Sequence, residues 1–171
     1  MSALVRRQFR HVARIDRALL QWIARGRHPI LDPLMRAMTK AGDWQSWTAL
    51  LATGIVVGGS YRALALGVAP KLIGVFSVCR VIKHFSRRPR PSKSVDGFLT
   101  LLTDPDPYSF PSAHAACAWT VCITLGTMLG GGWAFWIAYP TLISYSRVHV
   151  GAHYPLDVVI GTAIGVAVGL S

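Results

Sequence analysis

The sequence predicts an all-α fold: a multi-pass transmembrane helical bundle of about five spans, preceded by amphipathic helices lying in the membrane interface. Three observations predict it. The 171-residue chain is 52% hydrophobic and only 15% charged, and its mean hydropathy is +0.41, so it lacks the polar surface of an ordinary soluble domain. Its net charge is +11, yet the basic residues gather before Lys40 and again between Lys83 and Lys93. Cations flanking apolar runs mark membrane spans, whereas a nucleic-acid binder spreads them over one solvated face. No nucleic-acid partner is therefore expected. Finally, apolar runs separated by glycine and proline breaks follow one another from Trp44 to the C-terminus.

Residues 1–43 form the first predicted unit, a basic amphipathic segment. Leu4, Val5, Phe9, Val12, Ile15, Leu19, Trp22 and Ile23 recur at helical spacing, with Arg6, Arg7, Arg10, Arg14, Arg17 and Arg25 largely between them. Asp32-Pro33 reads as an N-cap followed by proline at the first helical position of a second short helix. A charge at mid-membrane costs about 2.5–3.5 kcal/mol. With Arg25, Arg27, Asp32 and Arg36 inside it, the stretch 15–41 is expected to lie in the headgroup layer and not to cross.

Residues 44–171 form the second unit, the transmembrane domain. The first span is 44–60, anchored at the interface by Trp44 and Trp47, and Tyr61-Arg62 is read as the tight connection after it. The second span, 63–82, contains Pro70, Lys71 and Arg80; Arg80 is close enough to an end to snorkel, and Lys71 is assigned to the opposite interface. Residues 83–112 are a loop with prolines at 89, 91, 105, 107 and 111, including an Asp104-Pro-Asp106-Pro turn. The third span runs 113–129 and stops at Gly130-Gly131-Gly132, the fourth runs 133–148, and the fifth starts at Pro155. Gly161, Gly165 and Gly169 give the last helix a small-residue face, suited to the internal bundle or to a homodimer. Cys79, Cys117 and Cys122 lie inside apolar runs and read as buried hydrophobes. Asp104 and Asp106 have no third hard ligand beside them, so no metal is expected.

Chemistry concentrates in three clusters: Lys83 to Pro91, Pro111 to His114, and Ser146 to Asp157. Five spans put all three on one membrane face. His114 and His153 fall at the N-terminal ends of helices, where free N–H groups and the helix dipole favour anions. Arg90 and Arg147 can grip a phosphoryl group with bidentate forks, and Lys83 can act as a point charge. Asp157 lies one helical turn after His153, so its carboxylate can hold one ring N–H and leave the other nitrogen free to attack. His153 is thus the expected nucleophile, Asp157 its orienter, and His114 the acid that protonates the leaving oxygen. Taken singly these features are bland: a His–Asp pair at that spacing is usually a surface contact, Pro-Ser is usually a helix cap, and cations after a span usually set orientation. The three together are specific.

The set resembles the type-2 phosphatidate phosphatase superfamily, whose pattern is K-x6-R-P, P-S-G-H and S-R-x5-H-x3-D. Lys83, Arg90 and Pro91 match the first motif, and Ser146, Arg147, His153 and Asp157 match the third. Pro111, Ser112 and His114 match the second, with Ala113 where glycine is usual. The resemblance implies a helical-bundle phosphatase that needs no metal or other cofactor and works through a phosphohistidine. It also implies that Lys83, Arg90, Ser112 and Arg147 bind phosphate with the backbone amide of Ala113. The expected substrate is a lipid phosphate or diphosphate, such as phosphatidate, phosphatidylglycerol phosphate or a polyprenyl phosphate, reached from the lipid bilayer. Besides Arg147, fourteen of the eighteen Lys and Arg residues (nine up to Lys40 and five from Lys83 to Lys93) fall on the side of the three clusters, so the positive-inside rule places that face in the cytoplasm, in the plasma (inner) membrane. The alternative is a non-catalytic membrane protein that holds anionic lipid head groups. Such a protein needs only the cations, and intact His114, His153 and Asp157 argue against it.

Overall fold

The computed structural model describes residues 3–103 and 106–171, with side chains from His11 onward. The side chains of Leu4, Val5, Phe9, Arg6, Arg7 and Arg10, and residue Asp104 of the loop turn, lie outside this description. The helices are α1 (Ala3–Arg25), α2 (Leu31–Ala41), α3 (Trp44–Val57), α4 (Gly59–Ser86), α5 (Pro91–Ser94), α6 (Ala113–Leu129), α7 (Trp133–His149) and α8 (Pro155–Leu170). Among the described residues there is no strand, only an isolated bridge between Pro89 and Tyr108.

The bundle is built around α6, which packs on α4, α7 and α8. Its small residues make that possible: Ala115, Ala116, Cys117 and Ala118 are all buried and let neighbouring backbones approach. The glycine face of α8 meets it. A methyl at Gly161 or Gly165 would run into the carbonyl oxygens of Ser112 or Ala116, and one at Gly169 would lie 2.7 Å from Ile123 Cβ. Thr120 and Thr124 then donate across the contact to the carbonyls of Gly165 (3.1 Å) and Gly169 (3.4 Å). Of the two uses the sequence left open for this face, α6 takes it for internal packing.

The first connection falls earlier than expected. Gly58 and Gly59 take φ of +83° and +55° and turn the chain, a conformation open to glycine without a Cβ penalty. Tyr61 and Arg62 therefore lie inside the first turns of α4. That helix has 28 residues, about 42 Å at 1.5 Å per residue. Among the described residues it is the one helix long and apolar enough by itself to cross a membrane. The other four apolar helices have 14 to 17 residues, at most about 26 Å against a ~30 Å hydrocarbon core. Much of the outer surface is apolar, with Val56, Leu66, Ile73, Phe135 and Val159 exposed. Lys71 is engaged within the bundle, its Nζ donating to the carbonyl of Gly169 (3.1 Å). A cation there answers the negative end of α8, far from the loops that carry the motifs.

α1 packs on α7 and α8, and α2 on α7. α1 turns Asp16 and the fully buried Leu20 inward and leaves Val12, Ile15, Leu19 and Trp22 outside. Most of the apolar stripe described for this helix therefore has no protein to cover it.

Candidate active site

Four chain turns bring the three clusters together. α4 ends just after Lys83, and Arg87 takes a left-handed conformation (φ 45°) that redirects the chain toward Arg90. Arg90 is extended, and Pro91 opens α5. Ser112 caps α6, its Oγ accepting from the Ala115 amide at 3.5 Å. After α7, Gly151 (φ +82°) reverses the chain so that the amides of Ala152 and His153 both donate to the Arg147 carbonyl. Tyr154 and Asp157 then start α8 with a capping box.

The product is a cavity of about 400 Å³ lined by Lys83, Arg90, Ala113, His114, Arg147 and His153, among others. Six of the eight predicted site residues thus face one space. Ser112 and Asp157 do not line it. Ser112 is fully buried and occupied as a helix cap. Asp157, also fully buried, stands behind His153.

His153 is 1% exposed. Its Nε2 lies 3.5 Å from Arg90 Nη1, and its Nδ1 lies 3.7 Å from Asp157 Oδ2. The latter distance suits an ion pair but is longer than a hydrogen bond. The reason is that Asp157 is held elsewhere: Oδ1 accepts from Arg88 Nη1 (2.6 Å) and Oδ2 from the Tyr154 amide (3.0 Å). Contacts of this kind are often long before substrate binds. Burial, followed by the positive charges of Arg147, Arg90 and Lys83, drives the His153 pKa well below the ordinary histidine value. The ring is a neutral base among cations.

Lys83 and Arg90 are held by the 106–108 segment and, for Arg90, by the turn before α8. Lys83 Nζ donates to the Tyr108 carbonyl (2.7 Å) and pairs with Asp106 Oδ2 (2.8 Å). Arg90 Nε donates to the Asp106 carbonyl (2.6 Å) and Nη1 to the Ala152 carbonyl (2.9 Å). Burial alone would raise the Asp106 pKa, but hydrogen bonds from Lys83 and the Tyr108 amide and the charges of Lys83 and Arg90 hold it below the usual carboxylate value. Asp106 is thus a partner for the cradle's cations. Among the described residues, no three His, Cys or acidic side chains converge as a metal site would require.

Three residues with direct bonds to this machinery carried no role in the sequence reading. Asp43 Oδ1 is 2.5 Å from His114 Nε2. Asp16 pairs with Arg88 Nη2 (2.6 Å) and accepts from the Leu156 amide (2.9 Å). Arg88 bridges Asp16 and Asp157 and lies over the Tyr154 ring. Its place two residues before Arg90 was the only sequence signal among them. Asp16 and Asp43 lie far along the chain from their partners, where spacing says nothing.

A helical membrane bundle with a cation-lined cavity, a buried neutral imidazole and a second imidazole across from it defines a class of protein built to bind and process a tetrahedral oxyanion. The particular family follows from comparison: the chain belongs to the PAP2 superfamily, whose model matches residues 62–171. It is 31% identical over 136 residues to an undecaprenyl-diphosphatase of Sulfolobus acidocaldarius, covering 79% of this chain and 66% of that one. It is 32% identical over 131 residues to a decaprenylphosphoryl-5-phosphoribose phosphatase of Mycolicibacterium smegmatis, covering 74% of this chain and 68% of the relative. The chain thus spans about two thirds of the length of these curated relatives. Among solved structures, LpxE of Aquifex aeolicus is similar with a TM-score of 0.75 and 27% identity, over 90% of this chain and 91% of that one. A transmembrane PAP2-type phosphatidylglycerolphosphate phosphatase from Bacillus subtilis shares the fold, with a TM-score of 0.81 and 22% identity over 94% and 83% of the two chains.

Proposed function

We propose that the protein is an integral membrane phosphatase that hydrolyses a lipid phosphate or diphosphate monoester through a phosphohistidine. The observation that carries this reading is the buried His153, with Asp157 at Nδ1 and Nε2 directed to Arg90 in the cavity. The Nε2 lone pair attacks phosphorus while the bond to the lipid oxygen breaks. His114, as imidazolium, gives its proton to that oxygen. Water then attacks the phosphohistidine, its proton goes to His114, the P–N bond breaks and phosphate leaves. Lys83, Arg90 and Arg147, with the amide of Ala113 at the start of α6, neutralise the equatorial oxygens, and Ser112 holds that helix end in place. These cations supply the charge that a metal supplies elsewhere, so the reaction is expected to run without one. Among lipid phosphates, prenyl-linked ones come first, because two of the relatives are named for prenyl-linked substrates.

In this reading α3, α4, α6, α7 and α8 cross the bilayer of the inner membrane as domain 44–171. Segment 1–43 lies in its surface, with Val12, Ile15, Leu19 and Trp22 in the acyl boundary. The site then opens to the cytoplasm. Labelling of a Ser92→Cys variant by an impermeant maleimide tests that side, since Ser92 is exposed and the natural cysteines are buried. Impermeant reagent should reach it only after the membrane is opened from the cytoplasmic side.

The test of the reaction is phosphate release in detergent with EDTA, for wild type and His153→Ala, against a panel of lipid phosphates. Release that survives EDTA, falls by at least about 10³-fold in the variant and passes through a trapped, acid-labile phosphoenzyme is expected. No release from any lipid would favour head-group binding, and loss in EDTA would reject the metal-free chemistry.

A further inference from the structure

Asp43 sits at the N-cap position of α3, where aspartate ordinarily accepts from the helix's own free amides. It does not do so here: the residue is extended (φ −67°, ψ 148°) and its side chain makes no cap hydrogen bond. Its carboxylate is turned instead to His114, 71 residues along the chain, with Oδ1 2.5 Å from Nε2. Both residues line the cavity. The usual reason for an aspartate at this position is therefore absent, and a different bond stands in its place.

We propose that Asp43 is the positioning residue of the second imidazole, holding His114 in place and in its protonated form so that it can deliver a proton to the leaving lipid oxygen. This rests on the phosphatase reading given above and adds a residue that lies outside the three motifs and outside the stretch 62–171 matched by the family model. The need for such a residue follows from the surroundings. His114 shares its cavity with Arg80 and Lys83 from α4, Arg90 from the loop, Arg147 from α7, Lys40 from α2 and the ring of His153. Five cations in one small space work against a sixth positive charge. Among the described residues Asp43 is the carboxylate bonded to the imidazole, and Asp106 is engaged with Lys83 and Arg90. An acid that must carry a proton among cations needs a carboxylate beside it. The nucleophile needs the opposite, a proton-free ring, and its carboxylate stands off at 3.7 Å. The two His–Asp pairs are thus set for the two different roles.

The test compares leaving groups. Asp43→Asn, Asp43→Glu and His114→Ala are assayed on a prenyl or acyl lipid phosphate, whose alkoxide needs a proton, and on p-nitrophenyl phosphate, whose phenolate does not. For Asp43→Asn, kcat on the lipid should fall at least about 100-fold, the span of general acid catalysis, with KM changed little. The first phosphoryl transfer from the aryl ester, read as the p-nitrophenolate burst or as kcat/KM, should stay within about three-fold, which also reports that the variant is folded; later turnover, in which His114 takes the proton of water, is expected to slow for both esters. Asp43→Glu should recover part of the lipid activity, and the double variant Asp43→Asn/His114→Ala should be no worse than His114→Ala alone. Equal losses in the first transfer step on both esters, or fully additive losses in the double variant, would overturn the assignment. A wild type inactive on both esters would instead reject the phosphatase reading itself.

Discussion

Two regions meet at the cavity, and they differ in what their sequence discloses. Residues 83–157 carry Lys83, Arg90, His114, Arg147, His153 and Asp157, each at a spacing that announces chemistry. Segment 11–43 reads as a basic surface helix and little else. Yet it supplies partners to all three clusters: Asp16 to Arg88, Asp43 to His114, and Asp32 to His149, whose Nε2 is 2.8 Å from Asp32 Oδ1. Thr39 Oγ1 is 2.9 Å from Ser146 Oγ, and Arg27 Nε donates to the His149 carbonyl (2.8 Å). The groups proposed to react come from one region, and many of the groups that hold them come from the other. Buried charge explains why both are needed. Asp157 is fully buried and Asp16 is 4% exposed, and such carboxylates persist only if paired and hydrogen-bonded. Arg88 answers both at once.

The sharpest probe of this division sets Asp157→Asn against Asp16→Asn, for these two carboxylates share Arg88. Asp157→Asn removes the charge behind the nucleophile, and kcat should fall by about 10³ to 10⁴, as when the carboxylate behind a reacting histidine is lost. Asp16→Asn leaves Asp157 and His153 in place and can still accept from the Leu156 amide. Its activity should fall only about ten-fold, with a stability loss of about 1–3 kcal/mol in thermal unfolding in detergent. Equal effects would mean that the N-terminal segment belongs to the catalytic machinery as fully as the motifs do.

Much of the fold was legible because its signals are local. Apolar runs and the Gly130-Gly131-Gly132 break placed α6 and α7, and the Gly161, Gly165, Gly169 repeat announced a close helix contact. The boundary after α3 was misplaced because Tyr61-Arg62 is a polar interruption that one helix absorbs, while Gly58-Gly59 carries the backbone turn. The site was legible where its residues share a motif. It was opaque where a bond spans 71 residues, as His114 to Asp43, or 140, as Leu156 to Asp16. Asp43 was hidden further by sitting before a tryptophan-led apolar run, a position that reads as an ordinary cap.

A smaller effect concerns the pH dependence of His153. Burial and the surrounding cations hold the His153 pKa well below its ordinary value. It is therefore deprotonated across the neutral range, and its reactivity should be lost only as pH falls through that depressed value. The acid limb of kcat/KM should lie near pH 6 or below, where the substrate's own second ionisation intervenes. A limb above the ordinary histidine pKa of about 6.5 would mean that His153 is charged in the free enzyme.

The smallest effect concerns Asp106, which has a place in neither region's motif. Its carboxylate lies 2.8 Å from Lys83 Nζ and 3.9 Å from Arg90 Nη2, the two cations expected to receive phosphate oxygens. An incoming dianion must compete with it. Asp106 is 40% exposed, so the competition is worth on the order of 1 kcal/mol, about five-fold in affinity. Asp106→Asn should therefore tighten competitive inhibition by inorganic phosphate or vanadate by about that factor and lower KM, with kcat altered less. The direction is fixed by charge: the Asp106 pKa is held below the usual carboxylate value, so the pair is intact above that range and is lost only as pH falls through the depressed pKa. The gain in the variant should accordingly be constant from about pH 5 to 8. Weaker phosphate binding in Asp106→Asn would show the reverse, that the carboxylate holds Lys83 and Arg90 in the posture that phosphate requires.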